Sequence, residues 1–412
     1  MEECKIVIGK NFGDEGKGLA VDYFAAKLSK TKFDTIVIKH NGGAQAGHTV
    51  ERENMRFVFH QLSSGSFCDC PTFLSETFLP DMMKIEEEIQ QFSDISGIIP
   101  KVYIDSQCNL TTVYDVIVNS LVESLRGENR HGSCGMGINE SVVRNKRNQY
   151  RFTLKMLSEF SVNATAEFLE KIRTEYIPER LNELNIPFKL DNQWLELLSN
   201  SDVSFNAAEI MHNSLKYIDI VENVSEFLKQ YKNIIFENAQ GLMLDMDNIE
   251  FFPHLTPSHT GCKNPFELLD KCGIEYNINN TEICYVTRSY VTRHGAGFLP
   301  YECTKNDINP YIRDLTNIPN EWQQSLRFAK HGSTDEFMKY IAHEYNNYNR
   351  VAVSLFFTHL NETSENIITN SGNIPINDFI AQLSDEFKFY NFYLSADRFS
   401  EKTVAENYKN FY

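Results

Sequence analysis

A mostly parallel α/β fold is what this sequence predicts, and three features carry the prediction. Lys5-Ile6-Val7-Ile8 reads as a short buried strand, the glycine-rich stretch Gly9 to Gly18 as a loop, and Leu19 to Leu28 as an apolar-striped helix. Thr35-Ile36-Val37-Ile38 then supplies a second strand at the spacing of a right-handed parallel crossover. Further on, Ile234-Ile235-Phe236, Ile283-Cys284-Tyr285-Val286 and Val351-Ala352-Val353-Ser354-Leu355 are β-branched or aromatic runs, each followed by a polar segment containing glycine or asparagine. Loops of that kind lie at the carboxyl ends of parallel strands, where the ligands of doubly wound sheets gather.

Between about residues 150 and 232 the pattern turns helical, with Phe168, Leu169 and Ile172, then Ile220, Val221, Val224, Phe227 and Leu228, as candidate buried faces. The sequence shows no internal repeat and no proline-rich linker, so residues 1–412 read as one domain carrying a mainly helical insertion.

Composition excludes several function classes. Hydrophobic residues at 42% and charged residues at 23% belong to a folded chain, not a disordered one. A formal net charge of -17 opposes non-specific attraction to nucleic acid or to an anionic membrane, so any bound phosphate needs a local site. No apolar run reaches the roughly 18 residues that span a bilayer, and Met1 to Lys5 does not resemble the start of a secretory signal. The nine cysteines are scattered, with no CxxC pair, as expected of reduced thiols in a cytoplasmic protein.

Two segments carry chemistry. Gly9-Lys10-Asn11-Phe12-Gly13-Asp14-Glu15-Gly16-Lys17-Gly18 lies between strand and helix, where backbone N–H groups and the helix dipole cradle an anion. Gly18 stands where a Walker A loop has the Ser or Thr that ligates Mg2+, which leaves Asp14 as the candidate metal ligand. Asn41-Gly42-Gly43-Ala44-Gln45-Ala46-Gly47-His48-Thr49-Val50 follows the second strand and is expected to bring His48 to face Asp14. A carboxylate that takes a proton beside an imidazole that donates to a phosphate oxygen can activate an oxo group by phosphorylation. Taken singly, the first segment reads equally well as a plain connection, and His48 as the cap of a turn.

Together with further segments in order, these two resemble the signatures of the adenylosuccinate synthetase family. Phe59-His60-Gln61-Leu62-Ser63-Ser64-Gly65 is similar to its His-Leu-x-Pro-Ser-Gly stretch, and Gly132-Ser133-Cys134-Gly135-Met136-Gly137-Ile138 to its Gly-Thr-Thr-x-x-Gly-Ile loop. Phe236-Glu237-Asn238-Ala239-Gln240-Gly241 with Leu244-Asp245-Met246-Asp247 resembles Phe-Glu-Gly-Ala-Gln-Gly and Leu-Asp-x-Asp. Pro253 to Ser258, Thr292-Arg293-His294-Gly295-Ala296-Gly297 and Ser395-Ala396-Asp397-Arg398 continue the correspondence to the end of the chain.

The resemblance implies an adenylosuccinate synthetase-like α/β fold and a two-step ligase. A nucleoside triphosphate phosphorylates O6 of a 6-oxopurine nucleotide, and the amino group of L-aspartate then displaces phosphate. In that scheme Asp14 removes the purine N1 proton and, with the Gly47 carbonyl, ligates Mg2+; His48 stabilises the transferring phosphoryl group. Lys17 with Gly13, Glu15, Gly16, Gly18 and Thr49 would hold the triphosphate, and Thr358 and Asn361 its base. Asn41, Gln45, Ser133, Cys134, Gln240, Thr256 and Arg293 would meet the purine nucleotide. Family members are homodimers in which an arginine crosses to the partner's site, and Arg144 or Arg147 is the match.

Two departures alter the expectation. The family's Thr-Thr-Gly-Arg-x-Arg-Arg loop, which reads the carboxylates of aspartate, is replaced by Asp314 to Arg327, where only Thr316, Asn317 and Arg327 remain to serve. The family's Thr-Lys-x-Asp, whose carboxylate reads guanine, becomes Thr358-His359-Leu360-Asn361, and an amide suits adenine at least as well, so both ATP and GTP stand. Gln45 and Asn238 also depart from the pattern. A viral branch that joins aspartate to dGMP has Ser at the position of Asp14, so its retention here points to IMP or dIMP. A dGMP-directed ligase and a non-catalytic nucleotide-binding paralogue are the alternatives.

Overall fold

The computed structural model describes the whole chain except residues 32, 128–134, 188–190, 314–324, 349 and 408–412. Along the chain the strands are β1 (Glu3–Gly9), β2 (Thr35–Lys39), β3 (His48–Arg52), β4 (Met55–Phe59), β5 (Thr72–Leu74), β6 (Val102–Asp105), β7 (Asp219–Val221), β8 (Asn233–Gly241) and β9 (Thr281–Arg288). They continue as β10 (Val291–Arg293), β11 (Glu302–Cys303), β12 (Arg327–Ala329), β13 (Ala352–Thr358), β14 (Asn366–Thr369), β15 (Gly372–Pro375), β16 (Asn391–Leu394) and β17 (Val404–Asn407). Ten of them form one sheet in the order β17-β16-β13-β9-β1-β8-β2-β5-β6-β7. Every pairing in it is parallel except that of β17 at one edge, so the fold is the expected α/β class.

The central strands read as unbroken apolar runs because both faces are covered. On one face Val7, Val37, Ile235, Cys284 and Phe356 pack against Ala20, Val21 and Phe24 of helix α1 (Lys17–Leu28). On the other, Ile6, Ile8, Ile38, Phe236, Ile283 and Leu355 meet Phe266, Phe337, Ile341 and Phe379 from three further helices. Helix α1 starts two residues before the sequence predicts, because Gly16 at φ 92° ends the loop in a left-handed turn.

The described residues of the stretch from Leu154 to Tyr217 form helices and turns. Its core is shared with the sheet side: Leu169, Ile172 and Leu181 belong to the same cluster as Phe57, Phe59, Leu74 and Ile104. The helical stretch is interrupted, although Val224, Phe227 and Leu228 lie on a helix (Val224–Leu228) as expected. Ile220 and Val221 belong not to a helix face but to β7, which pairs in parallel with β6 and closes the sheet edge. Two β-branched residues flanked by short helices carry too little periodicity to separate the two states. The segment after β2 also differs, since His48 opens the β3–β4 hairpin instead of lying in a loop.

Candidate active site

The loops after β1 and β2 and the end of β8 meet at the carboxyl edge of the sheet, with β8 hydrogen-bonded between β1 and β2. Contact is close: a Cβ on Gly18 would lie 3.0 Å from the Thr49 carbonyl and 3.1 Å from His48 Cβ, so any larger residue would push α1 and the second segment apart by a few tenths of an ångström.

The first loop already holds an anion of its own. The Glu15 carboxylate accepts hydrogen bonds from the backbone N–H groups of Asn11 (3.0 Å) and Gly13 (2.8 Å) and from Lys17 Nζ (2.7 Å). Both side chains of the Lys17–Glu15 pair are 2% exposed. The Glu15 side chain is therefore a ligand of the loop, so a contact of this residue with the triphosphate would run through its backbone N–H. Asp14 stands beside this nest at φ 61°, with its carbonyl accepting from Arg288 Nε at 2.5 Å. Its carboxylate lies 3.4 Å from His294 Nε2 and remains 24% exposed.

Lys10 is buried without a carboxylate partner, its ammonium 3.8 Å from the Phe337 ring centroid and donating to Asn11 Oδ1 at 3.2 Å. Burial pushes it down to about 7, against the opposing pull of Glu15. An unfolded lysine keeps its proton to about pH 10.4, so above pH 7 the unfolded chain binds more protons than the folded one and stability rises with pH. Between pH 7 and 8.5 the denaturation free energy is expected to rise by about 1 to 2 kcal/mol, and the rise to vanish in Lys10→Met, as read from urea titrations.

His48 pairs with Glu237, not with Asp14. Its Nδ1 lies 2.6 Å from Glu237 Oε1, and the Glu237 carboxylate also accepts from the Ser64 hydroxyl (2.5 Å) and backbone N–H (3.0 Å). Burial alone would raise Glu237, but the Lys39 ammonium and His48 override it and bring it down to about 2. Burial lowers His48, and Glu237 opposes that shift. The Nδ1–H is thereby fixed on Glu237, and Nε2 is the nitrogen left to meet a ligand. Glu237 was not singled out from the sequence, although a glutamate directly following the apolar run Ile234 to Phe236 signals a carboxylate at the end of a buried strand that needs a partner.

At the end of β8, Gln240 adopts φ 68° and lies against the first loop, where a Cβ on Gly13 would come within 3.7 Å of its Oε1. Gln45 Oε1 and Asn238 Oδ1 are buried oxygens without a hydrogen-bond partner, although Asn238 Nδ2 donates to the Thr260 carbonyl at 2.5 Å. Two unpaired acceptors beside an anion loop suit a ligand that brings N–H or O–H donors. Asn41 is engaged with β8: its amide donates to the Ala239 carbonyl at 2.9 Å and accepts from the Ala239 N–H at 2.8 Å, which leaves one N–H and one lone pair. It ties the second loop to β8.

A match to the family described as adenylosuccinate synthetase runs from residue 6 to residue 361. The chain belongs to the adenylosuccinate synthetase family. The adenylosuccinate synthetase of Picrophilus torridus is 28% identical over 309 residues, covering 74% of this chain and 66% of the relative. That of Finegoldia magna is 26% identical over 313 residues, covering 76% and 68%. The chain thus matches about two thirds of the length of these curated relatives. Among solved structures, the fully ligated adenylosuccinate synthetase from Plasmodium falciparum superposes with a TM-score of 0.71 at 17% identity, over 98% of this chain and 99% of that one. The succinoaminodeoxyadenylate synthetase of cyanophage S-2L, bound to dGMP and to dATP as an energy donor, gives 0.64 at 13%, over 98% and 95%. At such identities the likeness is one of fold.

The arginines depart most from what the adenylosuccinate synthetase resemblance implies. Arg144 is fully buried, its five N–H donors taken by Asp115, Asn145 Oδ1 and the Tyr150 and Leu110 carbonyls. It is a core strut and cannot reach across an interface. Arg147 is the more exposed of the two and pairs with Glu179 and Glu183. Arg327 makes a two-pronged pair with Glu302 (2.8 and 2.5 Å) and donates to the Gly295 and Gly297 carbonyls, so four of its five N–H donors are taken and it cannot grip a carboxylate ligand with two donors while this pair stands. Arg293 is opposite it in the β10–β12 pairing, 1% exposed, over the Phe12 ring at 4.6 Å and hydrogen-bonded to the Phe298 and His254 carbonyls. Burial and the neighbouring Arg327 lower it to about 10.

Thr358 ties the first loop to β13 through a 2.6 Å hydrogen bond to the Glu15 carbonyl, and Asn361 lies exposed in the short turn Leu360–Glu362. Thr256 is half-buried beside Ser258, and Gly47 is exposed. Ser133, Cys134, Thr316 and Asn317 lie outside the described residues.

Proposed function

We propose that this protein is a ligase that joins the amino group of L-aspartate to C6 of a 6-oxopurine nucleotide through a 6-phosphoryl intermediate, with IMP or dIMP as substrate and GTP or ATP as phosphoryl donor. The observation that carries the reading is that a partly exposed carboxylate, Asp14, and an imidazole locked by a buried glutamate, His48, flank one anion-binding loop. Asp14 would take the N1 proton of the purine, which makes O6 nucleophilic. His48 Nε2 would face the transferring phosphoryl group, while loop amides and Lys17 would hold its oxygens. Mg2+ fits the oxygen donors present, the partly exposed Asp14 carboxylate and the exposed Gly47 carbonyl, with phosphate oxygens completing its shell; when bound it would offset the developing phosphoryl charge. For the amine step, Arg327 would release Glu302 to read an aspartate carboxylate with two donors. A homodimer and a cytoplasmic location complete the proposal.

The test is direct incubation of the protein and Mg2+ with aspartate, ATP or GTP, and each of IMP, dIMP, GMP and dGMP, following phosphate release and the succinylated product by mass spectrometry. Product from IMP or dIMP supports the reading; product from dGMP alone moves the substrate class; tight nucleotide binding with no product in any mixture favours a non-catalytic paralogue. Co-substrate choice is expected to turn on Asn361. Asn361→Asp supplies a charged acceptor for guanine N1–H and N2–H and removes the donor that faces adenine N1. The GTP/ATP ratio of kcat/KM should rise about tenfold or more. An unchanged ratio in an active variant would remove Asn361 from base recognition.

A further inference from the structure

Asp14 sits in the left-handed backbone region at φ 61°, where a residue with a side chain persists only if its surroundings hold it. Two buried side chains do so. Arg288, the last residue of β9, donates from Nε to the Asp14 carbonyl at 2.5 Å and from Nη1 to the Tyr290 hydroxyl at 3.0 Å. That hydroxyl in turn donates to Glu362 Oε2 at 2.5 Å, and Glu362 closes the turn that carries Asn361. Thr358, just before the turn, runs a parallel tie to the adjacent carbonyl, that of Glu15, at 2.6 Å.

The two middle members of this chain of contacts are buried. Arg288 is 6% exposed and Tyr290 fully buried. The Tyr290 ring stacks on Phe328 at 5.9 Å and packs with Ile312 and Ile368, which limits the directions in which its hydroxyl can move. The guanidinium is a rigid planar fork, so a shift of the tyrosine oxygen must tilt the Nε–H that holds Asp14.

We propose that Arg288 and Tyr290 are positioning residues that couple the Asn361 turn to the backbone of Asp14, so that occupation of the base site by the triphosphate sets the direction of the catalytic carboxylate. The inference rests on the ligase reading above, in which Asn361 meets the triphosphate base and Asp14 the purine. Neither residue touches a reacting atom. Their action is on geometry, and geometry at a general base is felt in turnover more than in binding.

A double-mutant cycle tests it. Wild type, Tyr290→Phe, Asn361→Ala and the double variant are assayed for kcat and for KM of each substrate, with Asp14→Asn as control and thermal unfolding to check folding. Tyr290→Phe keeps the ring and breaks both hydroxyl bonds, so kcat is expected to fall about tenfold with each KM within about twofold of wild type. If the coupling is real, the double variant is no slower than the slower single variant, because both substitutions break the same link. Losses that multiply independently, or a Tyr290→Phe enzyme with wild-type kcat, would overturn the inference while leaving an inactive Asp14→Asn to uphold the ligase reading. Should Tyr290→Phe unfold, Arg288→Lys, which keeps the charge and loses the fork, replaces it in the cycle with the same expectation. An active Asp14→Asn, or a wild type that forms no product, would overturn the ligase reading and the coupling with it.

Discussion

Asp14→Asn is expected to lower kcat by about 10²- to 10⁴-fold, the span contributed by a general base. The substitution is nearly isosteric, and asparagine tolerates the left-handed backbone that Asp14 adopts at φ 61°, so the carbonyl contact with Arg288 is preserved. With the carboxylate 24% exposed, little folding energy depends on its charge. Loss of turnover with unchanged thermal stability and retained nucleotide affinity is the predicted result. Activity near wild type would show that the N1 proton leaves by another route.

The second large effect belongs to the buried pair beside it. His48→Ala should cut kcat by about 10²- to 10³-fold, as removal of a donor that acts on developing charge does. It also strands Glu237, whose carboxylate is buried and held low by Lys39 and His48, so stability should fall by a few kcal/mol, about 3 to 5 for a broken buried pair. Glu237→Gln separates the two consequences. It keeps the Ser64 hydrogen bonds available, but an amide can donate to His48 Nδ1 and so reverse the tautomer that the carboxylate enforces. A kcat loss of about 10²-fold or more with small changes in KM is expected, measured beside a denaturant titration. A Glu237→Gln enzyme as active as wild type would reduce the pair to a structural one.

Sheet and first loop were legible in the sequence because their signals are local. Ile6, Val7 and Ile8 announce a strand buried on both faces, and the glycines of the next ten residues announce the turn that follows. What escaped depends on distance. Glu237 lies 189 residues from His48, and nothing in spacing reveals that β8 inserts between β1 and β2 to bring them together. Arg144 and Arg327 show the reverse failure: a motif match supplies a side chain of the right type, but whether its guanidinium faces a ligand or a buried Asp115 or Glu302 is decided by packing. His294 and Arg288 escaped for a similar reason, since each reaches Asp14 from the far end of the chain.

The strand order also dictates how such a chain can be synthesised. β1 is the first strand made, yet its two neighbours are β8 at 233–241 and β9 at 281–288. A nascent chain therefore carries Ile6, Val7 and Ile8 unpaired on both sides until more than half of the protein has emerged, and completes that pairing only when β9 is free of the ribosome. Such long-range parallel closure is slow and leaves an apolar strand edge open to other chains meanwhile. Folding yield, more than native stability, should be the property most sensitive to synthesis rate and to chaperones, and fragments ending before residue 281 should aggregate instead of forming a stable half-sheet.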